Sequence, residues 1–172
     1  MIDFWFNIIY TYDMEVINEY LNLKSSYKEY YLKNNHSIDN TNISAADLFY
    51  YVGSDVDLVF SALNISPSKS GYKYWKDAIF LLILSTEISL SICNDIYPAI
   101  AKKYNKSSMA IERAMRLCFE NVLFYISKNK TNLVGEYLKN SLLYPHNREI
   151  LVKIVEFIVS ENFQNNKNKL VI

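Results

Sequence analysis

Residues 97–122 read YPAIAKKYNKSSMAIERAMRLCFENV. They form two helical segments around a short polar break. Pro98 suits the first turn of the first helix, where its missing N–H costs nothing. NKSS at 105–108 is a tight polar connection. Ser107 or Ser108 can cap the longer helix that follows, from about Met109 to Lys128, by accepting from an orphan backbone N–H. At about 100° per residue, Ile111, Ala114, Met115, Cys118 and Val122 share one side of that helix. Arg113 lies nearly opposite, flanked by Arg116, Met109, Leu117 and Glu120, with Glu112 at the margin.

A short helix, a turn and a longer helix make the plan of a helix-turn-helix, whose second helix enters the DNA major groove. The outer face carries suitable chemistry. Arginine can donate two hydrogen bonds to guanine O6 and N7, and glutamate can accept from cytosine N4. Lys102, Lys103 and Lys106 precede the helix, where phosphates would pass. A plainer reading stays open, because Glu112–Arg116 and Arg116–Glu120 are i,i+4 pairs that can satisfy each other on a solvated face.

The rest of the chain reads as helical too. Its 172 residues include three glycines and three prolines, too few breakers for a turn-rich β sandwich. Apolar residues recur with helical spacing from Ile2 to about Lys33, although FWFNIIYTY at 4–12 is also rich in strand formers. A polar loop follows at 34–42. Ser44 is placed to cap a short helix that Gly53 ends in the left-handed conformation. Asp55 and Asp57 then start the next helix, which runs to about Leu63, their charges favoured by the helix dipole. Residues 64–71 read as a connection and 74–85 as a strongly apolar helix. Thr86 caps another short helix, 131–143 holds one more, and Asn147 caps a final one. The tail from Gln164 is expected to fray.

Several functions are excluded by what is missing. There is no Gly-rich phosphate loop, no nucleophile elbow and no metal-ligand spacing. The two histidines, His36 and His146, lie in separate polar stretches. Cys93 and Cys118 make no disulfide framework and read as two buried thiols. The expectation is a protein that is not an enzyme and uses no metal or cofactor. No basic signal region precedes the apolar start, and the longest apolar run, AIFLLIL at 78–84, is too short to span a bilayer. A soluble cytoplasmic protein with no membrane partner is expected. The net charge of zero hides an asymmetry: residues 1–53 carry three Lys against seven acids, and residues 54–172 carry fifteen Lys and Arg against eleven acids. Such a split hints that the second part meets a polyanion.

Three stretches in order, GYKYWKDAI (71–79), YPAIAKKYN (97–105) and ERAMR (112–116), resemble the C-terminal DNA-binding domain of the sporulation master response regulator family. The similarity covers roughly Ser54 to Phe163. It implies an all-α, six-helix domain containing a helix-turn-helix, here preceded by a short, mainly helical N-terminal segment. The division that follows is 1–53 (an acidic, Tyr-rich cap, dimerisation or partner-binding segment), 54–165 (the DNA-binding domain) and 166–172 (the frayed tail). The family binds short boxes in double-stranded DNA, often as a head-to-tail dimer on tandem sites. By position, Glu112, Arg113 and Arg116 match its base-reading residues, and Leu117 stands beside them. Lys102, Lys103, Lys106, Ser107 and Ser108 fall where DNA backbone contacts are expected.

The departures shape the functional expectation. The family usually has His where this chain has Leu117, and Ala110 replaces a common basic residue. Leu117 and Met109 can touch thymine methyl groups, or can belong to a protein contact. Residues 131–147 fit the family poorly, which leaves contacts with an RNA polymerase sigma subunit open. Residues 1–53 are too few for the family's phosphoacceptor receiver. The first expectation is a sequence-specific transcription regulator without a receiver, reading the major groove with helix 109–128. The alternative is an interaction module with a blunted DNA face that binds and antagonises a related regulator or another partner.

Overall fold

A computed structural model describes residues 31–34, 45–84, 91–128, 132–141 and 146–170 of the 172-residue chain. Residues 31–34 are helical. The elements that follow are α1 (Ala45–Ala62), α2 (Ser70–Leu84), a π-helical turn (Ile92–Ile96), α3 (Tyr97–Tyr104), α4 (Ser108–Lys128), α5 (Leu133–Ser141), α6 (Asn147–Val159), α7 (Glu161–Asn166) and a 3-10 turn (Lys167–Lys169). Among the described residues there is no strand, so the all-α expectation holds. The polar loop expected at 34–42 does not begin at Asn34, which is helical and buried; residues 35–42, the expected helix or strand over residues 2–30, Ser44 and Thr86 lie outside the described residues.

Helix α4 is the axis of the packing, with α2 and α3 laid against it. Its inward stripe is Ile111, Met115, Cys118, Phe119, Val122 and Ile126, all buried. Phe119 completes an aromatic centre: its ring centroid is 4.6 Å from that of Trp75 and 5.7 Å from that of Phe60, and Phe60 lies 5.0 Å from Tyr72. Edge-on and tilted rings at these spacings are favoured beyond their buried area.

Helix α1 does not break at Gly53. Leu48, Val52, Val56, Val59 and Phe60 make one continuous buried stripe along it, and that burial outweighs the helix-breaking tendency of one glycine. The helix therefore crosses the expected 53/54 boundary. It ends instead at Asn64, which is left-handed (φ 55°); the Ile65 N–H donates to the Phe60 carbonyl at 2.8 Å and the Asn64 N–H to that of Ser61 at 2.9 Å. The buried Ile65 seals this end.

Asp55 and Asp57 are consequently mid-helix and cap nothing. Asp57 takes the Lys76 ammonium at 2.8 and 2.9 Å and the Tyr72 hydroxyl at 2.7 Å. Asp55 is buried. It accepts from the Tyr31 hydroxyl at 2.9 Å, Gln164 Nε2 at 3.3 Å and Lys167 Nζ at 3.4 Å. Burial holds its carboxyl above the usual carboxylate range, and Lys167 pulls it back. The tail expected to fray thus packs inward, with Gln164 and Leu170 buried, and ahead of it Asn34 Nδ2 donates to the carbonyl of Val159, the last residue of α6, at 2.7 Å.

Two smaller corrections follow from packing. Cys118 is buried and its thiol is pushed up to about 11 by desolvation, but Cys93, on the π-helical turn, is exposed. Gly71 is not part of a connection. It is the second residue of α2 and a point of close approach to α4: a Cβ there would stand 2.2 Å from the Ala114 carbonyl oxygen and 2.9 Å from Cys118 Cβ.

Candidate nucleic-acid interface

The turn between α3 and α4 is built from backbone rules. Asn105 ends α3 in the left-handed conformation (φ 50°), with the Lys106 N–H donating to the Ala101 carbonyl at 3.0 Å and the Asn105 N–H to that of Lys102 at 3.3 Å. Asn tolerates this conformation better than most residues. Ser107 then caps α4, its Oγ accepting from the Ala110 N–H at 3.2 Å. Two helix ends are satisfied within three residues, which fixes the angle between the helices.

The inner side of α4 is held by its backbone as well as by its side chains. Trp75 Nε1 donates to the Met115 carbonyl at 2.9 Å, Lys69 Nζ to the Cys118 carbonyl at 3.2 Å, and Asn147 Nδ2 to the Glu112 carbonyl at 3.2 Å. These carbonyls are spaced three residues apart, so the donors grip successive turns of one side. Asn147 also donates to the Tyr97 hydroxyl at 2.8 Å and so joins α6 to both helices of the pair. It was expected to cap α6. That cap position belongs to His146, and Asn147 is buried between helices.

The outer side is open. Arg113, Arg116, Leu117 and Glu120 are exposed, Glu112 is half-buried, and Met109 is 79 % exposed. Arg116 Nε lies 3.4 Å from Glu112 Oε1. An exposed i,i+4 pair of this kind contributes only about 0.3–0.5 kcal/mol. A good bidentate base contact discriminates by about 1–3 kcal/mol, so the pair is weak enough to be exchanged for one. Arg113 makes no ion pair among the described residues.

The five backbone-contact candidates divide. Lys102, Lys106 and Ser107 are exposed around the turn, and Ser108 is half-buried. Capping uses the Ser107 oxygen as an acceptor and leaves its hydrogen to donate. Lys103 differs: its ammonium is turned inward to 2.6 Å from the buried Asp77, and its side chain is 10 % exposed. Burial pulls the Lys103 ammonium below the ordinary lysine value, and Asp77 offsets this. Burial likewise holds the Asp77 carboxyl above the usual carboxylate range, against the pull of Lys103. A buried pair leaves a costly lone charge if either partner goes, so Lys103 belongs to the fold.

The residues that hold α4 were missed from sequence. Trp75, Lys69 and Asn147 lie far from it along the chain, and no local pattern links them to its carbonyls. Among the described residues no group of His, Cys, Asp and Glu could hold a metal ion, and no helix is long and apolar enough to cross a membrane.

The molecule is thus an all-α domain that fixes one helix from behind and presents its arginines outward. Residues 56–158 match the family model for the sporulation initiation factor Spo0A C terminal. The match spans more than half of the chain, and the chain belongs to this family of DNA-binding regulators of transcription in sporulation. All three motifs that carried the resemblance lie inside the matched residues. No solved structure matches the chain.

Proposed function

We propose that this chain is a sequence-specific transcription regulator in which α3 and α4 act as a helix-turn-helix. α4 enters the major groove, Arg113 and Arg116 bind guanines, and Glu112 orients Arg116 or accepts from cytosine. Leu117 and Met109 meet thymine methyl groups and alter the preferred box. Lys102, Lys106, Ser107 and Ser108 hold the DNA backbone beside the turn. The reading places the protein in the cytoplasm and leaves dimerisation on tandem sites as its extension.

The observation that carries it is Arg113: a guanidinium with no ion pair among the described residues, on the exposed side of a helix gripped from behind, inside the residues matched to a DNA-binding family. Selection from a randomised DNA library at near-physiological salt tests it. An enriched box is expected, lost in Arg113→Ala while salt-sensitive background affinity remains. Equal binding of the enriched and scrambled DNA by the unsubstituted protein would overturn base readout.

A second reading rests on the same side of α4. Met109 and Leu117 are 79 % and 50 % exposed, and Ala110 is exposed where the family is often basic. Exposed apolar residues of this kind can mark a protein contact. Co-purification with a related regulator and no enriched DNA would favour an antagonist.

A further inference from the structure

The inward turn of Lys103 takes one cation away from the DNA-facing side, and another helix supplies a replacement. Lys73 is exposed on the first turn of α2. Its Nζ lies 4.6 Å from the centroid of the Tyr104 ring and 5.6 Å from that of Tyr74. Tyr104 is the last residue of α3, immediately before the turn that carries Lys106 and Ser107. Lys103 Nζ also approaches the Tyr104 ring, at 4.7 Å. Two ammoniums therefore approach one aromatic ring: one is neutralised by Asp77, and the other meets no carboxylate among the described residues.

Lys69, just before α2, and Lys73 and Lys76 within it have different partners. Lys69 donates to the Cys118 carbonyl, and Lys76 is paired with Asp57. Lys73 alone of the three meets neither a carboxylate nor a carbonyl among the described residues. Its stem is steered by the Tyr104 ring, which attracts a cation and limits where the ammonium can go. Asp77, the carboxylate beside this ring, is already engaged by Lys103. Lys73 is thus held against the last residue of α3, and the exposed Lys102 and Lys106 flank that residue along the chain.

We infer that Lys73 is a further DNA-backbone contact, binding a phosphate beside the α3–α4 turn in the place expected for Lys103. This rests on the DNA-binding reading above and extends it to a helix outside the pair. A phosphate contact of this kind adds affinity without sequence preference. Each neutralised phosphate steepens the dependence of log affinity on log salt by about 0.9.

The test is the salt dependence of binding to the enriched DNA box and to scrambled DNA, for the unsubstituted protein, Lys73→Met and Lys103→Met. Methionine keeps most of the aliphatic stem on the Tyr104 ring. Lys73→Met is expected to lower affinity for both DNAs by the same factor, to flatten the salt slope by about 0.9, and to leave the thermal midpoint unchanged. Lys103→Met is expected to lower the midpoint. Where the unsubstituted protein binds with an ordinary salt slope and Lys73→Met shares that slope, this inference is overturned and the reading above stands. If the unsubstituted protein shows no salt-sensitive DNA binding, both fall together.

Discussion

The two sides of α4 obey different physics. On the inner side, contacts reach the backbone: Trp75, Lys69 and Asn147 donate to carbonyls, and Gly71 lets α2 approach the Ala114 carbonyl. On the outer side, Arg113, Arg116 and Leu117 meet solvent and make one weak ion pair among the described residues. Contacts to backbone do not depend on which side chains α4 carries outward. The helix can therefore keep its place while its outer residues change. Position and preference are separable properties of one helix.

Gly71→Ala should break this separation most severely. The new methyl would overlap the Ala114 carbonyl, and neither backbone can yield without tilting α4. Overpacking of this kind costs about 3 kcal/mol, read as a lower midpoint in chemical denaturation, with DNA binding lost alongside. Asn147→Ala comes next. It removes two hydrogen bonds and leaves the Tyr97 hydroxyl buried without its donor, at a cost of about 2 kcal/mol. Loss of discrimination between DNA boxes at temperatures where the variant remains folded would show that Asn147 positions the reading face.

The buried pair behind α3 offers a gentler probe. The Asp77 carboxyl is raised from its ordinary 3.8 in the folded protein, so between that value and the raised one the native state binds more protons than the unfolded chain. Its contribution to stability must then fall as pH rises through that window and level off above it. The difference in stability between the unsubstituted protein and Asp77→Asn, measured by denaturation from pH 4 upward, should carry this negative slope; a difference that rises with pH would contradict the assignment. Arg113→Ala should have the smallest effect on stability, under about 0.5 kcal/mol, because Arg113 is exposed and makes no ion pair among the described residues. A larger loss would mean that the outer side is also structural.

The parts of the molecule that were legible from sequence are those governed by local rules. The α3–α4 pair followed from Pro98, the polar break and the spacing of Ile111, Met115, Cys118 and Val122, each acting within a turn or two of itself. The outward placement of Arg113 and Arg116 came from the same periodicity. What stayed hidden depended on distant partners. Gly53 resembles a helix stop until the stripe from Leu48 to Phe60 is seen to be buried on both sides of it. Asp55 resembles a cap until Tyr31, Gln164 and Lys167 are brought to it. Lys103 and Lys73 look alike on paper; only the position of Asp77 and Tyr104 separates their roles.

The network around Asp55 bears on what has to travel together when this domain is moved. Tyr31, Asp55, Gln164 and Lys167 all lie outside the matched residues 56–158, on both sides of them. Each is answerable to the others through one buried carboxylate. The inherited unit and the portable unit are therefore of different lengths: any transplant of the reading helix into another protein has to carry its two flanks as a matched pair.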